Sequence, residues 1–139
     1  MIAACTALIN SGQETQQGLA VAHSQIGYAL DAELKYEPAV NEYNIAIALD
    51  PGDAVTYVRR GLANNGSCHL DAAIADDSRA LSMLPTNSIA YFNRGLVWLR
   101  EGNVAKARAD FVRANQLTPN HYPTPDQAIS APRPPPCAG

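Results

Sequence analysis

The sequence predicts an all-α protein built as a row of stacked antiparallel helix pairs. Three observations predict it: a period of 34 residues, small residues at fixed places within that period, and a proline closing each unit. Gly27, Gly61 and Gly95 are each 34 apart, as are Ala39, Ala73 and Ala107, then Ala46, Ala80 and Ala114, and finally Pro51, Pro85 and Pro119.

Each column has a physical reason. Glycine and alanine stand where two helices must approach closely, so that a larger side chain would push them apart. Proline lacks a backbone donor and disfavours helix in the residue before it, so it stops the second helix of a unit and sets the turn into the next. His23, Tyr57 and Tyr91 precede the three glycines by four residues, which places each pair on one helical face. First helices are expected near 20–32, 54–65 and 88–101, and second helices near 37–49, 71–83 and 103–117. Pro38 falls in a first turn, where its missing donor costs nothing. Asn103 suits an N-cap.

With its small residues and its proline in these columns, the sequence resembles a tetratricopeptide repeat protein, and its third unit resembles bacterial members especially. That unit carries Tyr91, Gly95, Trp98, Gly102, Ala107, Phe111, Ala114 and Pro119 at pattern positions. The resemblance implies an α-solenoid with units at 20–53, 54–87 and 88–121. The first unit keeps Gly27, Ala39, Tyr43, Ala46 and Pro51 but has His23 where an aromatic ring is usual. The second departs most: Asn64 and Asp77 replace rings and Cys68 replaces the turn glycine. Its first helix, ending in Asn64, Asn65 and Gly66, is expected to stop early or fray.

Residues 1–19 resemble the second helix of a preceding unit followed by a loop, so the chain is expected to begin in mid-repeat. Residues 122–139 hold six of the ten prolines. This tail is expected to be extended, mobile and disordered, with at most one helical turn at 124–130, and to bury little.

Charge and composition exclude several function classes. The net charge is -3 and no dense basic run is present, which argues against nucleic acid as a partner. Residues 1–50 carry about -5 and the remainder about +2, read either as solvated helix faces or as head-to-tail attraction between molecules. No run approaches the roughly 20 apolar residues that cross a bilayer, so no membrane association is expected. The apolar start, residues 1–9, lacks a basic leader. The default placement is cytoplasmic, with export or a periplasmic location following if the true start lies upstream of Met1.

Cys5, Cys68 and Cys137 show no ligand spacing and are an odd number, so neither a disulfide scaffold nor a metal site is expected. Cys5 reads as a small core residue. His23, His69 and His121 lie in separate units, and the neighbouring Asp76 and Asp77 point in different directions on a helix. No nucleophile, phosphate loop or paired ligand motif occurs, so no enzyme activity and no cofactor are expected.

What remains is surface. The resemblance implies that the first helices line a concave groove, and in these units the candidate peptide-binding residues are Tyr28, Val55, Val58, Arg59, Leu62, Ile89, Phe92, Asn93, Leu96 and Arg100. Any one of these side chains has the alternative of padding a helix interface. At the five positions with which chaperone-binding relatives grip a terminal carboxylate, this chain offers Ser24, Tyr28, Arg59, Ile89 and Asn93. That clamp is therefore expected to be absent. The expected function is binding of an apolar or amphipathic segment of another polypeptide. The alternative is a structural piece that self-associates by stacking through its ends.

Overall fold

A computed structural model describes residues 1–138. Eight helices run in order: α1 (Ile2–Ser11), α2 (Gln16–Ala32), α3 (Tyr36–Leu49), α4 (Ala54–Gly66), α5 (Leu70–Met83), α6 (Ser88–Arg100), α7 (Val104–Leu117) and α8 (Pro125–Ser130). α2 pairs with α3, α4 with α5 and α6 with α7, and the pairs stack in sequence order with α1 at one end and α8 at the other. The all-α solenoid follows, with no strand among the described residues.

The columns of the sequence are the contacts within the pairs. Ala39, Ala73 and Ala107 are fully buried, as are Ala80 and Ala114, while Ala46 is nearly so. A β-carbon added at Gly27 would lie 2.7 Å from the Tyr43 ring, and one at Gly95 would lie 2.6 Å from the Phe111 ring. Tyr43 and Phe111 are the largest fully buried side chains, each contributing about 1.5–3 kcal/mol by burial.

Side-chain caps start four of the main helices. Thr15, Asp53, Asn87 and Asn103 accept hydrogen bonds from the backbone N–H groups of Gly18, Val55, Ala90 and Lys106. The Thr15 cap starts α2 a turn earlier than the repeat period places it.

α4 corrects the expectation of an early stop, because it continues to Gly66. Its polar end is satisfied: Asn64 Nδ2 donates to Asp76 Oδ2 at 3.0 Å, Arg100 Nη1 donates to Asn65 Oδ1 at 2.7 Å, and Ser67 Oγ donates to the Ala63 carbonyl at 3.1 Å. Gly66 also gives room to the ring of Tyr36, which lies where a β-carbon would be.

The C-terminal tail is the second correction. α8 seats Ala128 in a cluster with Leu99, Ala107 and Phe111, and its start carries a full capping box between Thr124 and Gln127. Tyr122 stacks on Phe92 with ring centroids 4.7 Å apart. The third correction concerns the cysteines. Cys68 and Cys137 form a disulfide with Cα atoms 5.5 Å apart, while Cys5 is free and half-buried.

Candidate peptide-binding groove

The candidate residues sit on α2, α4 and α6, the first helices of the three units, and the 34-residue period sets them in rows. Val21, Val55 and Ile89 form one row, each about half exposed. Tyr28 and Leu62 continue a second row, exposed by 49% and 42%, and Leu96 follows in it half-buried beside the C-terminal cluster. These rows leave bulky apolar groups in water side by side along one face.

Between the α4 and α6 rows lies a depression of about 240 Å³ whose wall includes Val55, Arg59, Leu62, Ile89 and Asn93. A neighbouring one of about 230 Å³ between α2 and α4 is bounded by Val21, Gln25, Asp53 and Val55. Arg59 spans the two. Its guanidinium lies 5.1 Å from the Tyr28 ring centroid and its Nη1 donates to Ser24 Oγ at 3.0 Å. Ser24 in turn shares a 3.0 Å hydrogen bond with Thr56, so the arginine is held in place rather than swinging free.

Three of the expected residues have other commitments. Val58 is only 7% exposed and belongs to the core with Ala80, Leu81 and Ala90, so it reaches the groove only as floor. Phe92 is occupied by Tyr122 and by Phe111, whose centroid is 5.4 Å away. Arg100 binds the end of α4 through the Asn65 carbonyl and side chain, and its Nη2 meets Cys68 Sγ at 3.1 Å and the Pro135 carbonyl at 3.4 Å. Phe92 and Arg100 answer to the tail, which the repeat pattern does not describe.

The opposite faces of the same helices carry a second periodic device that the column reading missed. Arg60 Nε and Nη2 donate to Asp76 at 2.9 and 2.6 Å; one unit on, Arg94 Nε and Nη2 donate to Asp110 at 2.8 and 2.9 Å. Both carboxylates are buried. Each fork is bidentate, and its hydrogen bonds to the carboxylate raise the arginine's affinity for its proton against the opposing cost of burial. The signal was available as Arg and Asp 16 apart, repeated after 34 residues. Its role is to clip first helix to second, not to bind.

Among the described residues no group of His, Cys, Asp and Glu is arranged to hold a metal ion, and no helix is long and apolar enough to cross a membrane. His23 Nδ1 pairs with Glu42 at 2.7 Å and His69 lies beside Ser67, so the histidines do not converge.

Comparison with known proteins agrees with this architecture. Residues 88–121 match the family model described as tetratricopeptide repeat. No curated protein sequence matches the chain. Among solved structures, the Arabidopsis OM64 TPR domain is 27% identical, with 83% of this chain and 94% of that one covered at a TM-score of 0.78. The second TPR domain of human RPAP3, in complex with the HSP70 peptide SGPTIEEVD, is 24% identical over 84% of this chain and 96% of that one, with a TM-score of 0.76. The Yersinia enterocolitica type III secretion chaperone SycD, in complex with a peptide of the translocator YopD, is 21% identical over 71% and 76%, with a TM-score of 0.67. The third unit thus matches the tetratricopeptide repeat in sequence, and the helix-pair stacking of the chain is similar to that of these domains.

Proposed function

We propose that this chain is a protein-interaction module that takes an apolar or amphipathic segment of another polypeptide along the face made by α2, α4 and α6. The observation that carries this reading is the exposed row of Val21, Val55 and Ile89 beside Tyr28 and Leu62, with open depressions between the rows. A ligand's apolar side chains spaced along an extended strand or one helix face would fill those depressions. Human RPAP3 and Yersinia SycD, which share the fold, hold peptides, and that likeness supports the class of function.

The clamp for a terminal carboxylate has no counterpart in this reading. Of its five positions, Ser24 is buried against Thr56, Ile89 is apolar surface, Tyr28 offers a ring and a neutral hydroxyl, Arg59 is engaged by Ser24 and Tyr28, and Asn93 offers a neutral amide. Selection from a displayed peptide library tests the proposal. Enriched peptides should carry apolar residues at helical or alternate spacing and should be lost by the double variant Val55→Asp with Ile89→Asp, whose sites are exposed. Enrichment of peptides defined by acidic C-termini, or peptides retained by the double variant, would overturn it.

The stacking alternative keeps one observation in its favour. α1 contributes no buried residue and leaves Leu8 exposed. Sedimentation over a concentration series separates the two readings, since stacking through α1 gives a concentration-dependent mass that Leu8→Asp abolishes.

A further inference from the structure

Resting on that reading of the groove, we propose that its C-terminal end is a site for proline-rich segments. The chain's own residues 131–136 lie across it as a strap, the Cys68–Cys137 disulfide latches the strap shut, and reduction by a dithiol opens the site to a proline-rich peptide from another molecule.

The strap lies across a surface that the repeats themselves build. From the end of α8 the chain leaves Ala131 with φ -63° and ψ 151°, which is polyproline II backbone, and continues through Pro132, Arg133 and three prolines to Cys137. At about 3.1 Å per residue this segment spans on the order of 20 Å. It runs from α8 past the end of α6 to the turn between α4 and α5, where Cys68 sits. Beneath it are Leu96, Leu99 and the Arg100 stem, an apolar and cationic lining that shares one cavity with Pro132 and Pro134 of the strap.

Packing does not explain why the strap stays. Residues 131–136 are all exposed, and a cavity of about 120 Å³ remains under them, bounded by Asn65, Leu96, Leu99 and Arg100 on the repeat side. Among the described residues the strap accepts one hydrogen bond, from Arg100 Nη2 to the Pro135 carbonyl at 3.4 Å, and Arg133 has no ion pair although it lines the same cavity as Arg100. Open space below it, one long hydrogen bond and an unpaired guanidinium next to another make the strap a loosely seated occupant whose far end the disulfide fixes, so that it can be displaced once that end is free. Cys68 is exposed and Cys137 half-exposed, so a thiolate can reach the bond.

The opening step balances without further partners. One thiolate of a dithiol attacks a sulfur of the disulfide, the other cysteine leaves as thiolate, and the second sulfur of the reagent closes on the first to free both cysteines. Two electrons pass from reagent to protein, Cys68 and Cys137 each end with a proton, and the reagent becomes a cyclic disulfide. The freed strap still competes as a tethered ligand at roughly millimolar effective concentration, so opening is graded and reversible on reoxidation.

The test uses the full chain and a fluorescein-labelled synthetic peptide with residues 129–136, ISAPRPPP, read by anisotropy. Mass spectrometry should show oxidised protein gaining two hydrogens on treatment with dithiothreitol, with helical circular dichroism retained. Peptide affinity should rise at least tenfold on reduction, and the Cys68→Ser, Cys137→Ser double variant should bind at the reduced level with or without dithiothreitol. The proposal is overturned if oxidised protein binds as tightly as reduced protein, if neither the reduced protein nor the double variant binds, or if reduction melts the helices. The outcome is separable from that of the groove itself. Apolar peptides that bind through Val55 and Ile89 while ISAPRPPP binds neither the reduced protein nor the double variant would leave the module reading standing and remove the latch.

Discussion

The carboxylate of Asp77 stands against Gly61 where aromatic rings stand in the other two units. Its Oδ1 lies 3.1 Å from the point a β-carbon of Gly61 would occupy, as the Tyr43 and Phe111 rings lie against Gly27 and Gly95. Asp77 is fully buried and neither oxygen has a hydrogen-bond partner. Burial first, and the Asp76 charge second, push its pKa up to about 8, against the pull of Arg94.

The sign of the pH dependence follows. In the unfolded chain an aspartate releases its proton near pH 4, whereas in the fold Asp77 keeps it to about pH 8. Its contribution to stability is therefore fully present below about pH 4, declines as pH rises toward 8, and is level above. Asp77→Asn should remove that decline. Asp77→Phe should remove it too and raise stability at neutral pH by about 2–4 kcal/mol, by burying a ring in place of an unpaired acid. Urea midpoints compared across this pH range check both, and a decline that persists undiminished in Asp77→Asn would show that it arises elsewhere.

The glycine columns should respond unequally. Gly95→Ala drives a β-carbon to 2.6 Å from a ring that is itself fully buried, and Ala107→Leu overfills a site with no exposure, so each should cost about 1–3 kcal/mol or more. At Gly61 the nearest atoms are the Asp77 carboxylate at 3.1 Å and the Ala73 carbonyl at 3.3 Å. There the gain of about 1 kcal/mol in helix propensity offsets much of the crowding. Thermal melts of Gly61→Ala and Gly95→Ala side by side check the contrast; equal losses would mean the second unit packs as the others do.

The period of the sequence carried the helix pairs and the buried columns, because each rests on residues whose size or backbone chemistry acts locally. Phe111 enters through the resemblance, because Asp77 breaks its column, whereas Gly95 is readable from the period alone. The disulfide was not, since Cys68 and Cys137 are 69 residues apart and meet only because the strap runs back along the solenoid. Nor was the burial of Val58, which occupies a groove column yet turns into the core beside Leu81. The completeness of α4 was hidden for a similar reason: the partners of Asn64 and Asn65 are Asp76 and Arg100, on two other helices.

Leu34, Cys68 and Gly102 hold the same left-handed backbone, with φ of 59°, 65° and 82°, at positions 34 apart. Only the third is the residue that adopts it without cost. Leu34 is 71% exposed, so Leu34→Gly gives up little contact and should stabilise by about 0.5–1 kcal/mol, while Gly102→Ala should destabilise by a similar amount. Denaturant titration of the two variants checks it. A destabilised Leu34→Gly would mean that the leucine makes contacts worth more than its backbone strain.

The last helix gives the prediction on which sequence and structure differ most. A proline-rich tail is expected to bury little, yet α8 places Ala128 against Leu99 and Phe111 at 6% exposure, and Asn115 Nδ2 holds the Pro123 carbonyl at 3.0 Å on the way in. α8 thereby covers the outer face of the third pair, which would otherwise meet water. Ala128→Asp sets a charge among those side chains and should cost about 1–3 kcal/mol, whereas Ser130→Asp, exposed on the same short helix, should change stability by less than about 0.5 kcal/mol. Running both under dithiothreitol separates docking from the disulfide, because a tail held only by Cys137 would then detach and make the two variants alike. A persistent difference after reduction locates the cap in the packing of α8, and its loss would return residues 125–130 to the status of a tethered tail.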